Sequence, residues 1–120
     1  MALICYHGEE PNIIDQKRAD TVLQVISDPE RRKIISLIKD EFKTANEISK
    51  QCGIPISSVY RRLNELSDKK LLITSGRITT QKKREDLYKS KIRKVVTVFD
   101  NDELDVKIYT NLRGKEKHTF

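Results

Sequence analysis

The residues best suited to chemistry lie on one side of a short predicted helix in the middle of the chain. Residues 56–66, ISSVYRRLNEL, place four apolar residues on one helical stripe, which we predict to be buried: Ile56, Val59, Leu63 and Leu66. Hydroxyls, an amide, an aromatic ring and an arginine lie on or beside the opposite face, namely Ser57, Ser58, Tyr60, Arg61 and Asn64. These groups suit phosphates and base edges in the major groove of DNA. The alternative is an ordinary surface helix with a basic bias.

A shorter helix and a tight turn precede that helix. Thr44 and Glu47 have the spacing of a capping box, in which a hydroxyl and a carboxylate each bond the other residue's backbone N–H. Gly53 tolerates the left-handed conformation that ends many helices, and Pro55 suits the first position of the next one. The apolar stripe of the first helix is predicted at Ala45, Ile48 and Cys52. Residues 44–66 therefore have the pattern of a helix-turn-helix.

A predicted β-wing follows directly. Residues 71–80 and 86–92 have strand-like patterns, and the basic segment QKKRE at 81–85 separates them. At the tip of such a hairpin, Lys82, Lys83 and Arg84 could reach backbone phosphates, with Arg77 as a supporting contact. The alternative is a solvated hairpin turn, where lysine is common in any case.

The positive charge of the chain is concentrated in this region. Between Ile54 and Lys94 there are 12 Lys/Arg and 4 Asp/Glu, a net charge of +8, and the remaining 12 Lys/Arg and 14 Asp/Glu give −2. A basic segment on a nearly neutral scaffold is typical of a protein that binds a polyanion. A basic surface without a specific partner would show the same imbalance.

Two further helices are predicted on the N-terminal side. The first covers residues 13–27, with its apolar positions at Ile14, Val22, Val25 and Ile26. Asp28 can cap the second, Pro29 suits its first turn, and Glu30 complements the helix dipole. We predict that this second helix runs to about residue 42 and buries Ile34, Ile35, Leu37, Ile38 and Phe42.

The C-terminal part of the chain predicts a second hairpin. Residues 94–99 and 104–109 alternate as half-buried strands do, and Asp100-Asn101-Asp102 between them has turn chemistry. We therefore divide the chain into an N-terminal arm (1–12), a winged helix-turn-helix domain (13–92), a C-terminal β-hairpin for packing or dimerisation (93–110) and a flexible tail (111–120). The expected fold is α+β, with three to four helices, a β-wing and the hairpin.

Composition excludes several other classes of protein. The 120 residues, of which 37% are hydrophobic and 35% charged, are enough for one compact domain. No apolar run approaches the length of a membrane span, and Ala2–Tyr6 is too short for a signal peptide, so we expect a soluble cytoplasmic protein. Cys5 and Cys52 form no C-x-x-C pair, so neither a disulfide framework nor a metal site is expected. With His7 and His118 near the ends and no cofactor motif, we expect no enzyme.

Three segments resemble the ArsR-like winged helix regulators, particularly archaeal members: DPERRKIISLI at 28–38, TANEISKQCGIPISSVYRRLNEL at 44–66 and KKLLI at 69–73. The likeness covers roughly residues 20–92. It implies a transcriptional regulator that binds double-stranded DNA as a homodimer, with the second helix of the motif in the major groove and the wing on the backbone. Carried over residue by residue, it places Ser57, Ser58, Tyr60, Arg61 and Asn64 at the groove and Arg62 toward the phosphates.

The chain departs from that family in two places. Metal-sensing members carry a Cys-x-Cys pair in the first helix of the motif, whereas this helix has only Cys52, so metal sensing is not carried over. Many members end in a dimerising helix, whereas this chain ends in strand-like sequence. The first helix, the N-terminal arm and the terminal hairpin are therefore all candidates for a dimer interface. A winged helix that docks proteins rather than DNA remains the alternative function.

Overall fold

The computed structural model describes residues 16–111 of the chain, with side chains from residue 18 onward. Four helices come first: α1 (Gln16–Ile26), α2 (Pro29–Leu37), α3 (Ala45–Cys52) and α4 (Ile56–Asp68). Four strands follow: β1 (Leu72–Ile78), β2 (Arg84–Ser90), β3 (Ile92–Asp100) and β4 (Glu103–Thr110). The expected α+β architecture of helices, wing and terminal hairpin is confirmed. The predicted arm at 1–12, the predicted helix start at residues 13–15 and the predicted tail beyond residue 111 lie outside the described residues.

The helices share one apolar core, as their stripes predict. Three residues of α4 lie at its centre, where Val59, Leu63 and Leu66 are almost fully buried. Helices α1, α2 and α3 and the start of the wing supply the rest, chiefly Val22, Val25, Ile34, Ile38, Ile48 and Leu71. Because this core holds α4 along one whole side, the opposite side of α4 faces away from the domain.

The caps that the sequence predicts are present. Asp28 caps α2 by accepting a hydrogen bond from the backbone N–H of Arg31 at 2.9 Å. Thr44 and Glu47 form the capping box of α3, with distances of 3.1 Å and 2.8 Å for its two bonds. Gly53 ends α3 with a φ of 68°, in the left-handed region.

The predicted end of the second helix is wrong. Helix α2 ends at Leu37 rather than near Phe42, and the Phe42 side chain is 38% exposed instead of buried. The reason is tertiary: the backbone N–H and C=O of Lys43 pair with Tyr88 of β2, so the chain must leave the helix to reach the wing. The Phe42 ring lies instead under the Lys89 ammonium, 5.6 Å from its centroid.

Smaller differences occur around the helix-turn-helix and the wing. Ile56 is 38% exposed rather than part of the buried stripe, because Ile54 takes the buried position at the turn. Pro55 caps α4 instead of occupying its first helical position. The turn at the wing tip covers residues 79–83, so Arg84 and Glu85 belong to β2 and not to the tip.

The two hairpins form separate antiparallel sheets. In the wing, Leu72 pairs with Ser90 and Ile78 with Arg84. In the terminal hairpin, strands β3 and β4 are joined by Asn101 and Asp102, both with positive φ, as a type I′ turn requires.

A seam of hydrogen bonds joins the strands to the helices. Ser90 donates its backbone N–H to Ile38 O and Lys91 donates its own to Leu71 O, both at 2.9 Å. The Asn111 amide donates to the carbonyls of Lys39 and Ser90. Asn111, which the sequence predicts to lie in the flexible tail, is therefore part of the anchor that holds the base of the hairpin.

Candidate nucleic-acid interface

The exposed side of α4 carries the predicted polar set. Ser57, Tyr60, Arg61 and Asn64 are exposed and Ser58 is half-buried. In the described part of the chain, no side-chain hydrogen bond or salt bridge occupies Ser57, Arg61 or Asn64. We call Ser57, Tyr60, Arg61 and Asn64 the α4 polar face. Its donors and acceptors are therefore open to a ligand from outside the molecule.

The turn between α3 and α4 fixes the direction of this face. Gly53 donates its backbone N–H to Ser49 O at 3.0 Å, and the Ser49 hydroxyl donates to Ile54 O at 2.6 Å. The buried Ile54 side chain then anchors the loop in the core. Since a turn and a buried stripe together set both the axis and the rotation of α4, the polar face has one defined orientation.

The wing tip presents exposed cations on an ordered turn. Residues 79–83 are held by Lys82 N–H to Thr79 O at 2.8 Å and Thr79 N–H to Lys83 O at 2.9 Å. Lys82 has a φ of 59°, which lets the chain reverse within this short loop. The ammonium groups of Lys82 and Lys83 thus stand on a hydrogen-bonded loop at the end of β1 and β2.

Two wing arginines are already engaged with carboxylates. Arg77 lies directly opposite Glu85 in the ladder and donates to it at 2.8 Å. Arg84 donates to Asp86 at 3.2 Å, while its side chain remains 76% exposed. These are surface ion pairs, which contribute little to the free energy of folding. Either arginine can therefore exchange its carboxylate partner for a phosphate.

A cleft of about 340 Å³ connects α4 to the wing. Tyr60 of α4 and Tyr88 of β2 line it together with Lys83 and Arg84. Burial raises the pKa of the Tyr88 phenol, so it stays protonated. Asn46 and Thr79 also line the cleft, and sequence reasoning missed both, although Asn46 occupies an exposed first-turn position of α3. The structure thus brings Tyr60 together with Lys83 and Arg84, which lie in a distant part of the chain.

Arg62 lies in a different environment from its predicted one. Its guanidinium contacts Glu65 at 3.0 Å, Glu30 at 3.3 Å and Asp28 at 3.6 Å, and the side chain is only 17% exposed. Arg31 joins the same group through Glu65 at 3.4 Å. The hydrogen bond that Arg62 donates to Glu65 raises the pKa of Arg62. We call these five residues the Arg62 network. The network links α4 to the N-terminus of α2. Because Arg62 is engaged there, we do not include it among the proposed phosphate contacts.

Acid should weaken the Arg62 network. The hydrogen bond from Arg62 lowers the pKa of Glu65 below 4.5, and the backbone N–H of Arg31 lowers that of Asp28 below 3.8. A carboxyl group with a lowered folded pKa stabilises fully above its unfolded pKa, and that contribution is lost as pH falls through the folded value. We therefore expect the free energy of unfolding in urea to decline below about pH 4.5.

Comparison with Glu65→Gln isolates the contribution of this network from that of other carboxylates. The variant cannot take up a proton at position 65 as the pH falls, so its stability should fall less steeply with acid than that of the wild-type protein. Parallel pH profiles for the two proteins would contradict the assignment.

The described residues contain few features of other kinds of site. Between residues 16 and 111 no helix is long and apolar enough to cross a membrane, and no cluster of three or more His, Cys, Asp or Glu could hold a metal ion. Burial raises the pKa of the half-buried Cys52 thiol, which keeps it in its neutral form. Cys5, His7 and His118 lie outside the described residues.

Comparison with known proteins agrees with this architecture. Residues 26–75 match a family model described as a helix-turn-helix domain. A search of curated proteins found no match.

Among solved structures, the chain is similar to reduced HlyU from Vibrio cholerae N16961, with 19% identity, a TM-score of 0.52 and coverage of 62% of this chain and 73% of that chain. It is also similar to NolR from Sinorhizobium fredii, with 22% identity, a TM-score of 0.51 and coverage of 62% and 69%. At such identities the likeness shows a shared winged helix fold.

Proposed function

We propose that this protein is a DNA-binding transcriptional regulator that acts in the cytoplasm as a homodimer on double-stranded DNA. The α4 polar face enters the major groove, and the wing tip contacts the phosphate backbone beside it. The observation that carries the proposal is the set of unoccupied polar side chains on α4, which lies across one cleft from the exposed cations of the wing. The helix-turn-helix match and the structural neighbours support it.

Each group has a role that follows from its chemistry. Arg61 can donate two hydrogen bonds to a guanine edge, and Asn64 can pair in the same way with adenine. Ser57, Ser58 and Tyr60 can bond base edges or nearby phosphates. Lys82 and Lys83 supply affinity that does not depend on sequence, and Arg84 and Arg77 add to it when they exchange their carboxylate partners for phosphates.

A salt titration tests the wing contact directly. We expect the logarithm of affinity for a mixed-sequence duplex to fall steeply with the logarithm of salt concentration. Lys82→Ala/Lys83→Ala together should make that slope shallower by roughly one unit for each phosphate contact removed. The measurement is fluorescence anisotropy over a series of salt concentrations.

The matched control is Lys33→Ala/Lys107→Ala, which also removes two exposed lysines but from outside the proposed interface. Its slope should equal that of the wild-type protein. Equal slopes for all three proteins would remove the wing from the interface.

The second candidate function is a protein-docking module, favoured by the exposed apolar residues Val98, Phe99 and Leu104 on the terminal hairpin. The two candidates differ in one simple respect. A regulator binds duplex DNA at low salt, whereas a docking module binds none and is retained by a protein partner instead.

A further inference from the structure

The terminal hairpin carries an apolar face that is buried at one end and exposed at the other. Three cross-strand pairs lie on this face: Val95 with Ile108, Thr97 with Val106 and Phe99 with Leu104. Ile108 is fully buried in the domain core, whereas Phe99 is 71% exposed. A two-stranded hairpin is only marginally stable by itself, so the outer half of this one has little to stabilise it within the described residues.

The two edges of the hairpin differ in how they are protected. In strand β4 the exposed charged residues Glu103, Asp105 and Lys107 alternate along the strand, which discourages pairing with another chain. Strand β3 instead has five consecutive uncharged residues, VVTVF at 95–99. In the part of the chain that the structure describes, β3 pairs only with β4. The outer edge of β3 is thus the edge suited to receive another strand.

The charges that flank this run are self-complementary. Lys94 precedes it and Asp100 follows it. If a second copy of β3 lies antiparallel about Thr97, Lys94 of each copy faces Asp100 of the other. Val95 then faces Phe99, and all members of the apolar face remain on one side of the sheet, because the register preserves the alternation of side chains.

We propose that the outer edge of β3 joins two copies of this chain in a two-fold symmetric, four-stranded antiparallel sheet. Such an arrangement uses the same patch on both copies, as closed dimers commonly do. It extends the apolar face across both hairpins and brings each exposed Phe99 against a half-buried Val95. The proposal rests on the proposed function in one respect: it identifies the surface through which the proposed homodimer forms.

Charge reversal tests both the edge and the antiparallel direction. In sedimentation equilibrium the wild-type protein should dimerise, and Lys94→Glu or Asp100→Lys alone should raise the dimer dissociation constant at least about tenfold, because each places two pairs of like charges in contact. An equimolar mixture of the two variants should recover dimers, since each copy then offers the charge that the other lacks. The control is Asp105→Lys, the same substitution on β4, which should dimerise normally.

Disulfide trapping tests the register. Thr97 lies next to its own counterpart on the proposed axis, so Thr97→Cys should form a covalent dimer under mild oxidation, whereas Asp105→Cys and the wild-type protein should not. Circular dichroism of every variant should match that of the wild-type protein, so that unfolding is not mistaken for dissociation.

The outcomes separate this inference from the proposed function. A wild-type protein that stays monomeric at about 100 μM, a concentration where even a weak dimer would form, overturns the inference. So does an Asp105→Lys variant that dissociates as readily as Asp100→Lys. If the monomeric wild-type protein or the Asp105→Lys variant still binds duplex DNA at low salt, the DNA-binding proposal stands without this inference.

Discussion

Leu63→Ala should lower the free energy of unfolding by about 2–5 kcal/mol, which is the largest effect that we expect of any single substitution in α4. Leu63 is 2% exposed and lies in the core shared by the four helices. The truncation removes buried apolar surface and leaves a cavity that the surrounding core residues can fill only in part. Urea unfolding followed by circular dichroism measures the change.

The adjacent residue provides the control. Asn64 is exposed on the opposite side of the same helix, so Asn64→Ala should change stability by no more than about 0.5 kcal/mol while weakening binding to a preferred DNA site. Leu63→Met, which keeps the side-chain volume, should cost less than about 1.5 kcal/mol. If Asn64→Ala destabilised the fold as much as Leu63→Ala, the described orientation of α4 would be wrong.

Two neighbouring arginines should give opposite results when each is changed to alanine. Arg61→Ala should cost about 1–3 kcal/mol of binding at the best site selected from a random library, with a smaller loss on random DNA. Its side chain is exposed and no salt bridge ties it to another described residue, so the melting temperature should hardly change. Anisotropy titrations and thermal unfolding on the same samples provide both measurements.

Arg62→Ala should act on stability instead. It removes the cation that Asp28, Glu30 and Glu65 share and leaves those carboxylates facing each other, at a cost of about 1–3 kcal/mol. Below the melting transition its salt slope for DNA should equal that of the wild-type protein, because no phosphate contact is lost. A shallower slope without destabilisation would return Arg62 to the interface.

Features whose causes are local could be predicted from the sequence. The capping box of Thr44 and Glu47, the left-handed Gly53 and the cap by Asp28 all depend on groups within a few residues of one another. The type I′ turn at Asn101 and Asp102 has the same origin, because its residue types tolerate positive φ. For these elements, interactions between residues close together in the sequence determine nearly all of the local conformation.

Features that depend on distant residues could not be predicted in this way. The apolar periodicity predicts that α2 continues to Phe42, because no nearby residue indicates that Lys43 pairs with Tyr88, 45 positions later. For Arg62, the helical spacing gave its position on α4 but not its partners, since Asp28 and Glu30 precede it by more than 30 residues. The side chains of the α4 polar face were easier to predict because only their own helix determines where they point.

The hydrogen bonds of Tyr88, Ser90 and Lys91 also imply that the base and the tip of the wing exchange their amide hydrogens at different rates. The backbone N–H groups of Tyr88 and Ser90 donate to Lys43 and Ile38 in the helical half of the molecule, and that of Lys91 donates to Leu71, which links α4 to the wing. Those hydrogens can exchange with solvent only when the strands undock, so in a hydrogen–deuterium exchange experiment they report a concerted opening. We expect the amides at the wing tip to exchange by local fraying instead, and therefore much faster. We therefore expect the protein to keep its helix-to-wing geometry while the side chains at the wing tip adjust locally.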